Sequence, residues 1–318
     1  MSRKTVFMFS GQGSQYFGMG RELYLSNRHF QSWMNHCNSI VEPRIGRSMI
    51  EILYQNESSS QTFDRLLYNS PALISIQICL TKLLIKEEIK PDYVLGYSLG
   101  EVAAAVVSQS ISLESALKLS IDFAHILERE SPRAGMLAIL ASEEIILEHP
   151  EAFHNCFITT HNFDGNFVIG GKIEAIEKAE KVLDAHYIVH RLPVNYGFHT
   201  PLISELKERF MTLLDGINIS VPSIPIISCQ KNSIINEKLA AEHLWDVFYY
   251  PVAFSTTVES MEKTASLAYI DVGPSGFLAT LLKYVLRPSS DSVYCETINQ
   301  FGRNIESIGH LTARLKTH

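Results

Sequence analysis

Pro91-Asp92-Tyr93-Val94-Leu95-Gly96-Tyr97-Ser98-Leu99-Gly100-Glu101 is the stretch that decides how this chain folds. Tyr93 to Gly96 is a short β-prone run that follows a proline. Residues 101–107 are rich in alanine and valine and read as a helix. Between them stands Gly96-Tyr97-Ser98-Leu99-Gly100, a G-x-S-x-G. Strand, tight glycine turn and helix is the local pattern of an α/β sheet. It is also the context that a nucleophile elbow needs. The flanking glycines let strand and helix approach closely, and the serine hydroxyl then stands at the carboxyl edge of the sheet beside a helix N-terminus. The plain alternative is an ordinary serine in a tight turn.

Working outward, T-V-F-M-F at 5–9 leads into Gly11-Gln12-Gly13 and predicts a buried strand leaving into a glycine-rich loop. Helical apolar spacing covers 71–86, with Pro71 at the expected start. From residue 132 the rhythm changes. Strands at 135–140, 156–160, 166–169 and 187–194 alternate with helices at 142–149 and 172–185 in the order β-α-β-β-α-β, a ferredoxin-like unit. The expected architecture is therefore α/β. A large α/β-hydrolase-like domain with a parallel sheet covers 1–131 and 197–318, and a small ferredoxin-like subdomain is inserted over 132–196. Further strands are expected at 226–229 and 267–272, with a helix at 277–284. Ser58-Ser59-Ser60 reads as a short surface loop.

Composition narrows the function classes. The 318 residues carry 27 Lys+Arg against 34 Asp+Glu, a formal net charge of −7, with 46% hydrophobic residues. That is the balance of a globular enzyme, not of a disordered chain. No basic stripe is present to neutralise phosphates, so a nucleic-acid partner is not expected. Cys37, Cys79, Cys156, Cys229 and Cys295 are scattered singly, which signals neither a disulfide framework nor a zinc site. The first residues lack the apolar core and cleavage site of a signal peptide, and no apolar run is long enough to span a membrane. The expected location is the cytoplasm.

A nucleophilic serine needs a base. Among 12 histidines, His199 in Asn195-Tyr196-Gly197-Phe198-His199-Thr200-Pro201 falls at the expected domain junction, where clefts form. His29, His36, His149, His154, His186 and His318 lie in polar stretches instead.

Several motifs together resemble one family. Phe9-Ser10-Gly11-Gln12-Gly13-Ser14-Gln15 with Gly18-Met19-Gly20 looks like the opening of malonyl-CoA:acyl-carrier-protein transacylases and polyketide-synthase acyltransferase domains. Gly96-Tyr97-Ser98-Leu99-Gly100-Glu101 resembles their G-H-S-x-G-E, Tyr196-Gly197-Phe198-His199 their x-A-F-H, and Asp271-Val272-Gly273-Pro274 their late x-x-G-P. The resemblance runs in order over nearly the whole chain. It implies Ser98 as the acylated nucleophile and His199 as its base. It also implies an oxyanion hole from the backbone N–H groups of Gln12 and Leu99, and a main-chain carbonyl near Val247 that orients His199. Asn162 and Phe198 would line the cleft.

The departures from that pattern bear on substrate. Members that use malonyl or methylmalonyl place an arginine in the helix after the nucleophile, to pair with the substrate carboxylate. Phe123 stands there in this chain. Arg129 lies six positions on, in a polar run that reads as a solvated face. The usual histidine before the nucleophile is Tyr97, the usual glutamine before Pro-Ala-Leu is Ser70, and the usual Gln or Asn before the late Pro-Val is Val247. The pattern implies an acyl group without a carboxylate, long or varied in chain.

The resemblance therefore leads to a serine acyl hydrolase that clears non-carboxylated groups from acyl-carrier-protein thioesters in polyketide biosynthesis. A second reading is a trans-acting acyltransferase that loads such a unit, or a malonyl unit, onto a carrier protein. A third is an inactive docking homologue. A lipase-like hydrolase fits less well, because His310 and His318 sit in a polar tail without an acid partner. No metal or bound cofactor is implied. The phosphopantetheine arm of a carrier protein, or coenzyme A, brings the acyl thioester. A carrier domain is acidic, and Lys172, Lys178, Lys181 and Arg191 are the candidate basic contacts.

Overall fold

The computed structural model describes residues 3–55 and 62–316, so Ser58-Ser59-Ser60 and His318 lie outside the described residues. Two sheets organise the molecule. The first has the strand order Val293–Glu296, Leu267–Asp271, Lys4–Phe9, Tyr93–Gly96, Ile226–Ser228, Ser233–Ile235. The first five strands run parallel and the last is an antiparallel edge. Lys4–Phe9 and Leu267–Asp271 are buried almost throughout, as strands covered on both faces must be.

Register positions the chemistry. Phe9 pairs with Gly96, so the two strands release their loops at the same level of the carboxyl edge. One loop carries Gln12 and the other carries Ser98. Helix Leu66–Lys86 backs this edge and is buried along nearly its whole length. It begins five residues before Pro71, the expected start, because tertiary contacts satisfy its first turn. The Leu67 N–H donates to Glu128 Oε1 of another helix at 3.2 Å, and the helix's own ladder opens with the Asn69 N–H on the Arg65 carbonyl at 3.0 Å. Pro71 then removes only one interior bond.

The second sheet has the order Ile188–Leu192, Ala134–Leu140, Asn166–Lys172, Cys156–Phe163, Val252–Ala253. Its first four strands are antiparallel, and with helices Ile145–Glu148 and Ile173–Leu183 they make the ferredoxin-like unit that the sequence predicts. Alternation along Ala134–Leu140 divides its two faces. Leu137 and Ile139 pack under Ile176, Ala179 and Leu183 of the longer helix, whereas Met136, Ala138 and Leu140 face a cleft. The short strand Val252–Ala253 follows helix Ala241–Tyr249 and adds in parallel to Cys156–Phe163, which binds the two sheets together. Among the described residues no helix is long and apolar enough to cross a membrane.

Candidate active site

Ser98 sits at the N-cap of helix Leu99–Val107 with φ 52° and ψ −126°. Such a backbone is strained for a residue with a side chain, costing of order 1–3 kcal/mol. The turn is tight enough to require both glycines. A Cβ on Gly96 would fall on the Glu101 backbone, and one on Gly100 would fall on the Phe9 carbonyl. The strain puts the hydroxyl within reach of a base: Ser98 Oγ lies 2.8 Å from His199 Nε2. His199 also has positive φ, 58°.

Two carbonyls from one chain segment grip His199. Its backbone N–H donates to the Phe248 carbonyl at 2.7 Å, and its Nδ1–H donates to the Tyr250 carbonyl at 2.7 Å. The second bond sets the tautomer that leaves Nε2 free to accept from Ser98. Burial pushes the imidazole down to about 4, against the smaller upward pull of the Tyr250 carbonyl. The ring is therefore a neutral base at ordinary pH.

The Gln12 loop is held rigidly beside this pair. Gln77 accepts from the Ser10 N–H at 2.7 Å and donates to the Ser10 carbonyl at 3.2 Å. The Gln12 side chain donates to Ser70 Oγ at 2.7 Å. Leu99 opens its helix, so its N–H has no place in the intrahelical ladder. Asp271 braces the same edge, accepting from the Gly273 and Ala279 N–H groups at 2.8 and 3.0 Å, and burial pushes its carboxyl up to about 7.

Two spaces meet at Ser98. A cleft of about 690 Å³ runs between the sheets, lined by Gln12, Tyr97, Ser98, Asn162, Phe198 and His199 together with Met136, Leu140, Leu192, Phe277 and Tyr284. Behind the serine is a recess of only about 20 Å³, lined by Gln12, Leu66, Ser70, Ser98, Leu99, Ser120, Phe123, Ala124, Leu127, Phe198 and Phe248. Neither lining contains a lysine or an arginine. Phe123 stands inside an aromatic cluster, 4.7 Å from Phe210 and 5.1 Å from Phe248 between ring centroids. Arg129 is exposed at the end of the same helix.

Most of the residues singled out in the sequence gather here. Ser98, His199, Gln12, Leu99, Phe198, Phe123, Ser70, Tyr97 and Asn162 all line one space or both. Tyr97 Oη donates to Asn162 Oδ1 at 2.9 Å and so bridges the two sheets. Val247 is the exception. It is buried on helix Ala241–Tyr249 and lines neither space; Phe248, the next residue, faces the recess instead. The carbonyl on Nδ1 is that of Tyr250, three residues beyond the expected one. The sequence carries no signal for it, since any residue supplies a carbonyl. Gln77 had one: with Asn69 it is one of two amide side chains in an otherwise largely apolar helix. Among the described residues no cluster of His, Cys, Asp or Glu is arranged to hold a metal.

The family model for the acyl transferase domain matches residues 6–318. This chain belongs to the acyl transferase domain family. The polyketide biosynthesis acyltransferase homolog PksD of Bacillus subtilis (strain 168) is 34% identical over 310 residues, covering 97% of this chain and 95% of that protein. The homolog BaeD of Bacillus velezensis is 35% identical over 292 residues, covering 91% and 90%. The same fold is seen in a loading acyltransferase from the avermectin modular polyketide synthase, at 23% identity and TM-score 0.88 over 98% of this chain and 99% of that one. This acyl transferase is thus a serine acyltransferase-family enzyme with an α/β-hydrolase-like core and a ferredoxin-like subdomain.

Proposed function

We propose that this acyl transferase is a proofreading acyl hydrolase of polyketide biosynthesis, releasing short non-carboxylated acyl groups from acyl-carrier-protein thioesters. The carrying observation is the recess. Where a carboxylate-reading arginine would stand, Phe123 packs among aromatic rings, and no cation lines either space. A carboxylate placed there would be buried unpaired, at a cost of several kcal/mol. The volume of about 20 Å³ suits a short chain rather than the long one that the sequence allowed. The larger cleft suits the phosphopantetheine arm.

The mechanism uses groups already in place. The thioester carbonyl carbon is attacked by Ser98 Oγ while His199 Nε2 takes the hydroxyl proton. The oxyanion is met by the backbone N–H groups of Gln12 and Leu99. Collapse expels the arm as a thiol, protonated from His199, and leaves an ester on Ser98. Water then gives its proton to His199 and attacks the ester, and the second collapse returns that proton to Ser98 Oγ and releases the free acid. The imidazolium that forms twice is stabilised by the Tyr250 carbonyl.

Chemistry favours removal over loading. An acyl group without a carboxylate cannot drive a decarboxylative extension, so on an extending carrier it is a stalled unit. The names of PksD and BaeD support the polyketide setting. The same reading treats 132–196 as the subdomain that roofs the cleft, with 1–131 and 197–318 as the catalytic lobe. Exposed Lys172, Lys178 and Lys181 remain candidates for an acidic carrier, whereas Arg191 is engaged by Glu177 and Glu180.

Intact-protein mass spectrometry on acetyl- and malonyl-carrier protein, with a second free carrier present, tests the reading. Free acetate and an unchanged malonyl carrier are expected. Acetyl on the second carrier would make the protein a transferase, preferential loss of malonyl would overturn the substrate reading, and no turnover with an unlabelled Ser98 would leave a docking homologue.

A further inference from the structure

Behind the nucleophile turn lies a buried carboxylate–imidazole pair that the acylation chemistry does not touch. Glu101 Oε2 is 2.9 Å from His243 Nε2, with side chains 2% and 3% exposed respectively. Glu101 Oε1 accepts from the Ser228 hydroxyl at 3.0 Å and the Gln230 N–H at 2.9 Å. We propose that His243 is a positioning residue which, through Glu101, fixes the separation between Ser98 and His199. This rests on the reading of those two residues as the reacting pair.

Each half of that pair is tied to one partner. Glu101 is three residues beyond Ser98, its N–H donates to the Ser98 carbonyl at 2.8 Å, and its backbone packs directly on Gly96. Glu101 cannot shift without moving the elbow. His243 lies on helix Ala241–Tyr249. The end of that helix, with the residue after it, supplies both carbonyls that hold His199, those of Phe248 and Tyr250. The pair therefore links the turn that carries the hydroxyl to the helix that aims the base.

Its burial makes the link stiff, since a buried carboxylate that loses its partner is left uncompensated. The Ser228 and Gln230 contacts also anchor Glu101 to the end of the neighbouring strand Ile226–Ser228. With Nε2 paired to Glu101, the His243 Nδ1 atom has no hydrogen-bond partner among the described residues.

The test uses the full chain, acetyl-carrier protein as substrate, and a serine-directed fluorophosphonate as a probe of hydroxyl reactivity. His243→Leu keeps the volume and removes the donor. We expect kcat and the labelling rate to fall about 100-fold with KM within about twofold, the signature of misplaced reacting groups. His243→Gln puts an amide N–H near the place of Nε2 and should recover the rate to within about fivefold. Glu101→Gln/His243→Leu removes the lone buried charge in case the single variant fails to fold, and should be folded but slow. A folded leucine or double variant with wild-type kcat overturns the proposal, as does a rise in KM alone, or a glutamine variant as slow as the leucine one. Ser98→Ala separates the two readings: if that variant still turns over, the assignment of the reacting pair fails instead.

Discussion

The two spaces that meet at Ser98 are built on opposite principles. The recess is closed by side chains that hold one another: Phe123 makes ring contacts with Phe198, Phe210, Trp245 and Phe248, and Phe248 in turn contacts Phe198 and Phe210. The cleft is walled by one face of the second sheet and ends in exposed apolar groups, Leu140 at 51% and Tyr284 at 64% exposure. A packed wall resists change of volume, so it can discriminate between acyl groups by a single methylene. An open wall adapts, so it can hold a flexible arm without reading its chemistry. On the proposed function, selectivity for the acyl group would reside behind the serine and tolerance for its carrier in front.

The largest effect belongs to the point the two spaces share. Ser98→Ala should reduce turnover on the order of 10⁴-fold or more and abolish phosphonate labelling, whichever space the acyl chain occupies. Next comes a substitution that separates recess from cleft. Phe123→Ala should raise the hexanoyl-to-acetyl ratio of kcat/KM about tenfold, because it opens the recess. It should also lower stability by about 3–5 kcal/mol, read by denaturant unfolding. Leu140→Ala, on the cleft wall, should change the same ratio less than about twofold. If both variants shift chain length equally, the division of labour is wrong.

The same contrast shows what was legible in the sequence. The elbow was, because its geometry admits few residues: only glycine fits beside Glu101 at position 96 and beside Phe9 at position 100. The second sheet was, because its alternation and its two helices follow the ferredoxin-like order. Phe123 was visible as a departure from the arginine that the family resemblance implies. The aromatic cage around it was not, since Phe210, Trp245 and Phe248 come from segments far along the chain with no shared pattern. The Glu101–His243 pair was hidden for the same reason, its partners lying 142 positions apart in the sequence. Pro71 misled because a proline rule describes an isolated helix, and here Glu128 caps the first turn from another helix.

Tyr97→Phe tests the seam between the two regions. It leaves Asn162 Oδ1 without its donor, which should cost about 1–3 kcal/mol of stability, with only a few-fold loss of kcat. A loss of kcat as large as that of Ser98→Ala would mean the hydroxyl takes part in the chemistry, and the cleft would then read substrate as well as hold it.

The smallest effect expected is the acid response, and it is diagnostic because it is small. An exposed histidine base with a pKa of about 6.5 would lose roughly 30-fold in kcat/KM between neutral pH and pH 5. Burial pushes His199 down to about 4. At pH 5 about nine-tenths of it is still neutral, so the loss over that interval should be less than about twofold. Stability follows the same group. The folded value lies below the unfolded one, so its stabilising contribution is fully present above about 6.5 and drains away as pH falls towards 4. Opening the cavity wall with Phe123→Ala lets water nearer the ring and should move the acid limb back towards 6.5. Leu140→Ala should leave it in place. A wild-type limb already near 6.5 would mean that the base is wet, and that the recess does not seal the reacting pair from solvent.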